Sequence, residues 1–325
     1  MPWIPDRRDS AAVAAAFQST AWQLRLLGRE VPARVVLPVV AEQVRTLKEI
    51  ALAGRNPDRA LLRLAAHTAE FAGWMAQESG SEAAARFWTA EAGRLAARSG
   101  FTDLRGYSLV RRAELEMYAG RADAVIELCD AVYHHQCYGP RVRAFAAQRA
   151  AQGHAMRGDE SASLRALDRA RTLWVAQADE EPDGLLLGSA AIGDPAQLVS
   201  GWCWLDLGRP RNAVELLHTG LRSARTSQGR RMRALFGARA ARALAVEGEL
   251  HEAIQLGRRS LRSAEMTWSA TAMTELHLLA GTLEQAPGHG PATELVHAIR
   301  SLSAHGAAPR VRAGGTTDSG EEQAG

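Results

Sequence analysis

Five glycines recur along the chain at intervals of about forty residues, each between two stretches of helical composition. They are Gly80, Gly120, Gly158, Gly208 and Gly248, and successive members are separated by 40, 38, 50 and 40 residues. A regular spacing of this length is typical of stacked pairs of helices that turn at the repeated glycine. The sequence therefore predicts an all-α protein, built as an array of antiparallel helical hairpins.

Small residues occupy matched positions around these glycines. Seven residues before them stand Gly73, Ala113, Ala151, Gly201 and Ala241, all of them small. Five residues after them stand Ala85, Val125, Ser163, Ala213 and Ala253, four of which are small. Small side chains let two helices cross closely, which a stacked array requires at each hairpin contact. The abundance of Ala, Leu, Arg and Glu, with aromatic residues at 6%, also favours helices over strands.

The order small residue, turn glycine, alanine resembles the tetratricopeptide repeat. Residues 61–100, 142–170 and 201–217 are, in addition, similar to the C-terminal repeat region of helix-turn-helix (XRE-type) transcriptional regulators of actinobacteria. The resemblance covers roughly residues 35–300. It implies a superhelical tetratricopeptide-like α-solenoid that senses an effector and has no enzymatic activity.

Three segments follow from this pattern. Residues 1–54 are predicted to form N-terminal helices that cap the array, 55–304 the repeats, and 305–325 a disordered tail. The Pro- and Gly-containing segment 178–195 is expected to be a loop that absorbs the longest interval. Within 1–54, an apolar stripe is predicted from Val36, Val39, Val40, Val44, Leu47 and Leu52.

Residues 1–54 also bear on nucleic-acid binding. The resembled regulators carry a DNA-binding domain ahead of their repeats, whereas this segment reads as two amphipathic helices. The net charge is only +3, with 39 cations dispersed among 36 anions. We therefore expect no specific DNA binding by this chain alone.

The remaining composition bears on location. Three cysteines, an odd number, and an N-terminus without a signal-peptide pattern favour a reduced, cytoplasmic protein. No apolar run reaches the length of a membrane span. No membrane partner is expected, and a homodimer is compatible with these features.

The sequence predicts no catalytic residue, no cofactor site and no metal site. The stretch His134–Cys137, with Cys129 nearby, lacks the paired spacing of a zinc site, and Cys129, Tyr133 and Cys137 have the spacing of a packing stripe. No local pattern pairs a nucleophile with a base or cradles a phosphate.

Arg230, Arg231 and Arg233 cluster at the start of a predicted helix, where cations oppose the helix dipole. Two interpretations are open: a contact with a phosphate or an acidic partner, or a solvated loop. The absence of neighbouring aromatic residues favours the solvated loop.

If the tetratricopeptide register holds, the first helix of each hairpin lines a concave groove. The positions 13, 10, 6, 3 and 2 residues before the turn glycines then predict the groove residues His67, Glu70, Trp74, Gln77, Tyr107, Glu114, Met117, Tyr118, Gln148, Gln152, Trp202, Asp206 and Arg242. Trp88 falls on an apolar position and is predicted to be core. Trp74 and Trp202 share one groove position, although packing against a neighbouring helix is the alternative for both.

The expected ligand is a peptide, a protein or a small effector bound in this groove. Aromatic side chains would supply apolar contact, and the carboxylates with Arg242 would orient a ligand that carries hydrogen-bond donors. The alternative function is an adaptor or scaffold that acts through its outer surface without a small ligand.

Overall fold

The computed structural model describes residues 7–175, 185, 187–188, 196–223, 229–285 and 289–306. These residues form fourteen α-helices, and no strand occurs among them. The helices are α1 (Arg7–Leu27), α2 (Ala33–Leu52), α3 (Arg59–Glu78), α4 (Glu82–Ser99), α5 (Thr102–Tyr118), α6 (Ala122–Tyr133), α7 (Pro140–Met156), α8 (Glu160–Val175), α9 (Ala196–Asp206), α10 (Pro210–Ser223), α11 (Arg230–Val246), α12 (Leu250–Thr267), α13 (Ala270–Leu283) and α14 (Gly290–Gly306). The prediction of an all-α protein is confirmed.

The five repeated glycines lie in the turns between α3 and α4, α5 and α6, α7 and α8, α9 and α10, and α11 and α12, with φ between 72° and 88°. At Gly120 no atom lies within 4 Å of an added Cβ, so the positive φ rather than lack of space favours glycine there. In each turn the residue after the glycine donates its N–H to a carbonyl five residues earlier, over 2.8–3.1 Å. This Schellman bond satisfies a carbonyl at the end of the preceding helix.

The matched small residues lie where paired helices touch. An added Cβ at Gly73 of α3 would lie 3.1 Å from Thr89 Oγ1 of α4, and one at Gly201 of α9 would lie 2.6 Å from Leu217 Cγ of α10. Ala113, at the same position on α5, is fully buried. The predicted close approach is therefore present at these contacts.

Residues 1–54 contain the two predicted helices, α1 and α2. Val36, Val40, Val44 and Leu47 are buried, as predicted, but Val39 and Leu52 are 51% and 37% exposed. The prediction was wrong for these two, because they lie about 100° or more around the helix from the buried row. The segment 178–195 lies almost wholly outside the described residues, and so does the tail beyond residue 306.

The two ends of the helical array meet. One continuous apolar core extends from α2 to α11 and a second from α11 to α14. In addition to neighbours along the chain, α3 contacts both α1 and α13, and α13 contacts α11. The first helices of the successive pairs thereby surround an interior space, and α1 covers part of it.

Candidate functional site

A cavity of about 510 Å³ lies inside this ring of helices. Its wall is formed by side chains of α1, α3, α5, α7, α9 and α11, with Thr271 of α13. The predicted groove residues on this wall are His67, Glu70, Trp74, Tyr107, Glu114, Tyr118, Gln148 and Trp202. The first helix of each pair thus faces the interior, and the wall also includes α1.

Five predicted groove residues are not on the wall, namely Gln77, Met117, Gln152, Asp206 and Arg242. The Gln77 and Gln152 side chains are buried and accept hydrogen bonds from Arg111 and Arg149. Met117 is a member of the apolar core.

Asp206 and Arg242 lie behind the wall. Asp206 accepts a hydrogen bond of 2.9 Å from Trp202 Nε1. Arg242 lies 3.9 Å from both Asp206 and Glu275, a residue that is not on the wall either. Both side chains therefore interact within the protein rather than with the cavity.

The aromatic part of the wall centres on Trp202, which is only 7% exposed. Its ring centroid lies 6.3 Å from those of Tyr118 and Phe236, and the guanidinium carbon of Arg239 lies 3.0 Å from it. Trp202 therefore both lines the cavity and packs against neighbouring side chains. Trp74 likewise lines the cavity and packs on Phe71 at 5.9 Å.

Trp88 lies outside the cavity. It is partly buried and packs against three of the apolar clusters, including the one formed by Ala76, Ala85 and Leu115. The prediction that Trp88 belongs to the core rather than to the groove is therefore confirmed.

The wall carboxylates are held by arginines. Glu70 accepts a hydrogen bond of 2.7 Å from Arg25, and Glu114 accepts bonds of 2.6 Å from Arg111 and 3.1 Å from Arg149. Burial alone would raise the pKa of Glu114, but the two arginines outweigh it and lower this pKa to about 2. Glu114 is thus ionised, and both carboxylates already have donors within the protein, which differs from the expectation that they await donors from a ligand.

The third wall carboxylate, Glu78, belongs to a contact that joins the two ends of the array. Arg231 of α11 lies 3.3 Å from Glu78 and also donates to the carbonyls of Gly28 and Val31, between α1 and α2. Ser269 and Thr271 donate their hydroxyls to the same carboxylate. We call these residues the closing contact. Arg231 is only 3% exposed.

The closing contact overturns the solvated-loop interpretation for Arg231. Of the clustered arginines, Arg231 is buried among internal acceptors, while Arg230 is 38% exposed beside Glu30. The cluster could not reveal this, because the partners of Arg231 lie 153 to 203 residues earlier in the chain.

Sequence reasoning also missed the arginines of the wall. Arg111 and Arg149 stand nine residues before Gly120 and Gly158, and Arg239, stacked on Trp202, stands nine residues before Gly248. This shared offset is the signal that could have identified them. The contribution of Arg25 from α1, and of Arg29 from the turn after it, has no counterpart in the repeats.

Four buried hydroxyl and thiol groups stay protonated, those of Tyr107, Tyr118, Cys129 and Cys203. Burial raises the pKa of Tyr107 and of Tyr118, so both hydroxyls remain protonated and can donate hydrogen bonds. Burial likewise raises the pKa of Cys129 and Cys203 to about 12. Among the described residues, no group of three His, Cys, Asp or Glu side chains could hold a metal ion.

No family model matches the chain, and no curated protein matches it at a significant level. Within the part of the chain that the structure describes, no helix is both long and apolar enough to cross a membrane.

Proposed function

We propose that this protein is a non-enzymatic regulatory module that binds a small effector in its central cavity. The observation that carries the proposal is the 510 Å³ cavity, lined by aromatic and charged side chains of successive first helices. Small-molecule sites have volumes of roughly 300–1,000 Å³ and combine an apolar lining with a few polar groups. Of the ligands expected from the sequence, a small effector or a short peptide fits such an enclosed space, whereas a folded protein does not.

The finer description of the fold is part of the proposal. The recurrent glycine turns, their shared Schellman bonds and the close helix contacts at Gly73 and Gly201 support a tetratricopeptide-like superhelical array. Such arrays bind ligands on the surface that their first helices share. A relation to the sensing region of actinobacterial transcriptional regulators would place this module in the cytoplasm, without specific DNA binding of its own.

The second candidate function is an adaptor that acts through its outer surface. Val35 and Val39 favour it, because they stand one turn apart on α2 and are 56% and 51% exposed. Glutamine at both positions should then abolish self-association or partner binding in sedimentation experiments and leave ligand binding in the cavity unchanged.

A thermal-shift screen against a library of metabolites tests the proposed function. A ligand at one hundred times its Kd stabilises the folded state by about 2.7 kcal/mol, or about 5 °C in a protein of this size. Val110→Trp should block the cavity, because Val110 lines it. Val246→Trp is the matched control, since Val246 is 53% exposed and lies off the wall.

Compounds that stabilise the parent and Val246→Trp but not Val110→Trp would support the proposal. Circular dichroism must show that all three proteins are equally helical. If no compound stabilises the parent, or if Val110→Trp responds in the same way, the cavity is not a ligand site and the adaptor function takes its place.

A further inference from the structure

We infer that the ligand of the cavity is an amphipathic organic anion, with a carboxylate-like group bound by Arg29 and an apolar body against the aromatic wall. This inference rests on the proposed function and specifies the ligand class of the same site. It follows from the charge of the wall, the environment of Arg29 and the aromatic residues of the wall.

The wall carries an excess of positive charge. Five arginines and three glutamates line the cavity. Each glutamate already interacts with at least one arginine at 2.6–3.3 Å. The excess therefore amounts to two positive charges in a partly desolvated space, where a matching anion is strongly favoured.

Arg29 is the wall arginine that takes part in none of these arginine–glutamate pairs. It is partly buried in the turn that follows α1, four residues after Arg25, and no carboxylate of the described residues lies within ion-pair distance of it. Its sequence neighbour Glu30 is 3.4 Å from Arg230 instead. Burial and then repulsion from Arg25 lower the pKa of Arg29, and the smaller attraction of Glu30 does not offset them. A ligand anion would compensate this partly buried charge.

The other wall arginines have different tasks. Arg25 is bonded to Glu70 and to the His67 carbonyl. Arg231 is used in the closing contact. Arg29 thus has the position of a ligand anchor rather than of a structural ion pair.

The hydrogen-bonding state of the wall carboxylates also favours a ligand that carries acceptors. Glu70, Glu78 and Glu114 already have arginine or hydroxyl donors in place within the protein. A ligand that carries mainly donors would therefore find few free acceptors on the wall.

The apolar body of the ligand follows from the aromatic residues of the wall. Trp22, Trp74, Tyr107, Phe145, Trp202 and Phe236 all line the cavity. Trp22 lies on α1 and Arg29 in the turn that follows this helix, and both side chains line the cavity. An anion with an aromatic or similarly flat apolar body would contact both.

The test compares two probes of nearly equal shape, 1-naphthaleneacetate and the neutral 1-naphthaleneacetamide, by isothermal titration calorimetry. The parent should bind the carboxylate at least about tenfold more tightly than the amide, as expected for a charge-assisted hydrogen bond. Arg29→Gln should reduce this ratio to near one by weakening only the carboxylate.

Arg112→Gln is the matched control, because Arg112 is exposed on α5 and lies off the wall. It makes the same change in net charge and should keep the tenfold ratio. Arg29→Gln should also melt at the same or a higher temperature than the parent, since it removes a partly buried unpaired charge. A structural arginine would instead lower the melting temperature when replaced.

The outcomes separate the two proposals. If the amide binds the parent as tightly as the carboxylate, the anion inference is overturned while the cavity remains a ligand site. The same holds if Arg29→Gln keeps the ratio. Binding of neither probe, with hits of other chemistry in the thermal-shift screen, overturns the inferred ligand class alone. Binding of neither probe and an empty screen overturns both proposals.

Discussion

Replacement of Arg231 by methionine should destabilise the protein more than any change at an exposed arginine. Methionine removes the cation that faces Glu78 and the donors to the carbonyls of Gly28 and Val31. Breaking a buried ion pair costs about 3–5 kcal/mol because one charge is left uncompensated. Glu78 keeps two hydroxyl donors, which reduces the cost, and the two carbonyls add to it. We expect a loss of about 4 kcal/mol in the free energy of unfolding.

The adjacent residue provides the control. Arg230 pairs with Glu30 at 3.4 Å, and the two side chains are 38% and 43% exposed. Such a pair contributes about 0–1 kcal/mol, so Arg230→Met should change little. Urea unfolding followed by circular dichroism gives both values. The double variant Glu78→Gln/Arg231→Met should be less destabilised than the sum of its single changes.

Equal costs for Arg231→Met and Arg230→Met would refute this reasoning. They would mean that the closing contact does not hold the ends of the array together. Hydrogen exchange in α13 provides an independent check, because loss of Arg231 should accelerate exchange there if α13 depends on this contact.

Three further predictions concern the wall and the turns. The pKa of Glu114 is lowered from 4.5 to about 2, so its ionised form contributes about 3 kcal/mol to the free energy of unfolding. This contribution is complete above pH 4.5 and disappears as the pH falls towards 2. Urea unfolding at several pH values should show that loss in the parent and not in Glu114→Gln. Trp202→Ala should lower the free energy of unfolding by about 3–5 kcal/mol and weaken ligand binding by about 2 kcal/mol. Unfolding experiments and calorimetry measure the two effects separately. An unchanged ligand affinity would exclude Trp202 as an anchor. Gly120→Ala should destabilise the protein by about 1 kcal/mol, because the φ of Gly120 is +74°. Gly281→Ala should stabilise it by about 0.5–1 kcal/mol, because Gly281 lies in helix α13 and no atom lies within 4 Å of the added Cβ. Thermal unfolding that shows the same sign for both changes would contradict this account of the turns.

The turns were predictable from the sequence because their cause is local. A helix that ends in a residue of left-handed conformation favours glycine at that one position. The recurring glycines can therefore be recognised without knowing which other helices the turn contacts. The same holds for Gly73 and Gly201, whose missing side chains let paired helices touch. Trp74 and Trp202 both stand six residues before their turn glycine, and both line the cavity.

The closure of the array was not predictable, because it depends on contacts between residues far apart in the chain. Nothing near Arg231 indicates that its partners are Gly28, Val31 and Glu78. The surface shared by the first helices therefore lines a partly enclosed cavity, and helix α1, expected only to cap the array, supplies part of its wall.

The polarity of the site was misjudged for a related reason. Glu70 and Glu114 were read as groups that await a ligand, yet Arg25, Arg111 and Arg149 satisfy them within the protein. Arginines are spread throughout this chain, so those on the wall do not stand out from those on the surface. Only the structure shows which of them form an ion pair with a carboxylate and that Arg29, within the described residues, forms none.

Native mass spectrometry of the protein isolated from the cells that encode it tests most directly whether the cavity holds a small anion. The parent and Val246→Trp should each carry a noncovalent small molecule, which denaturation releases and which is detected as a negative ion. Val110→Trp, with its cavity blocked, should be free of it. A parent without any such molecule, or the same molecule retained by Val110→Trp, would contradict the account.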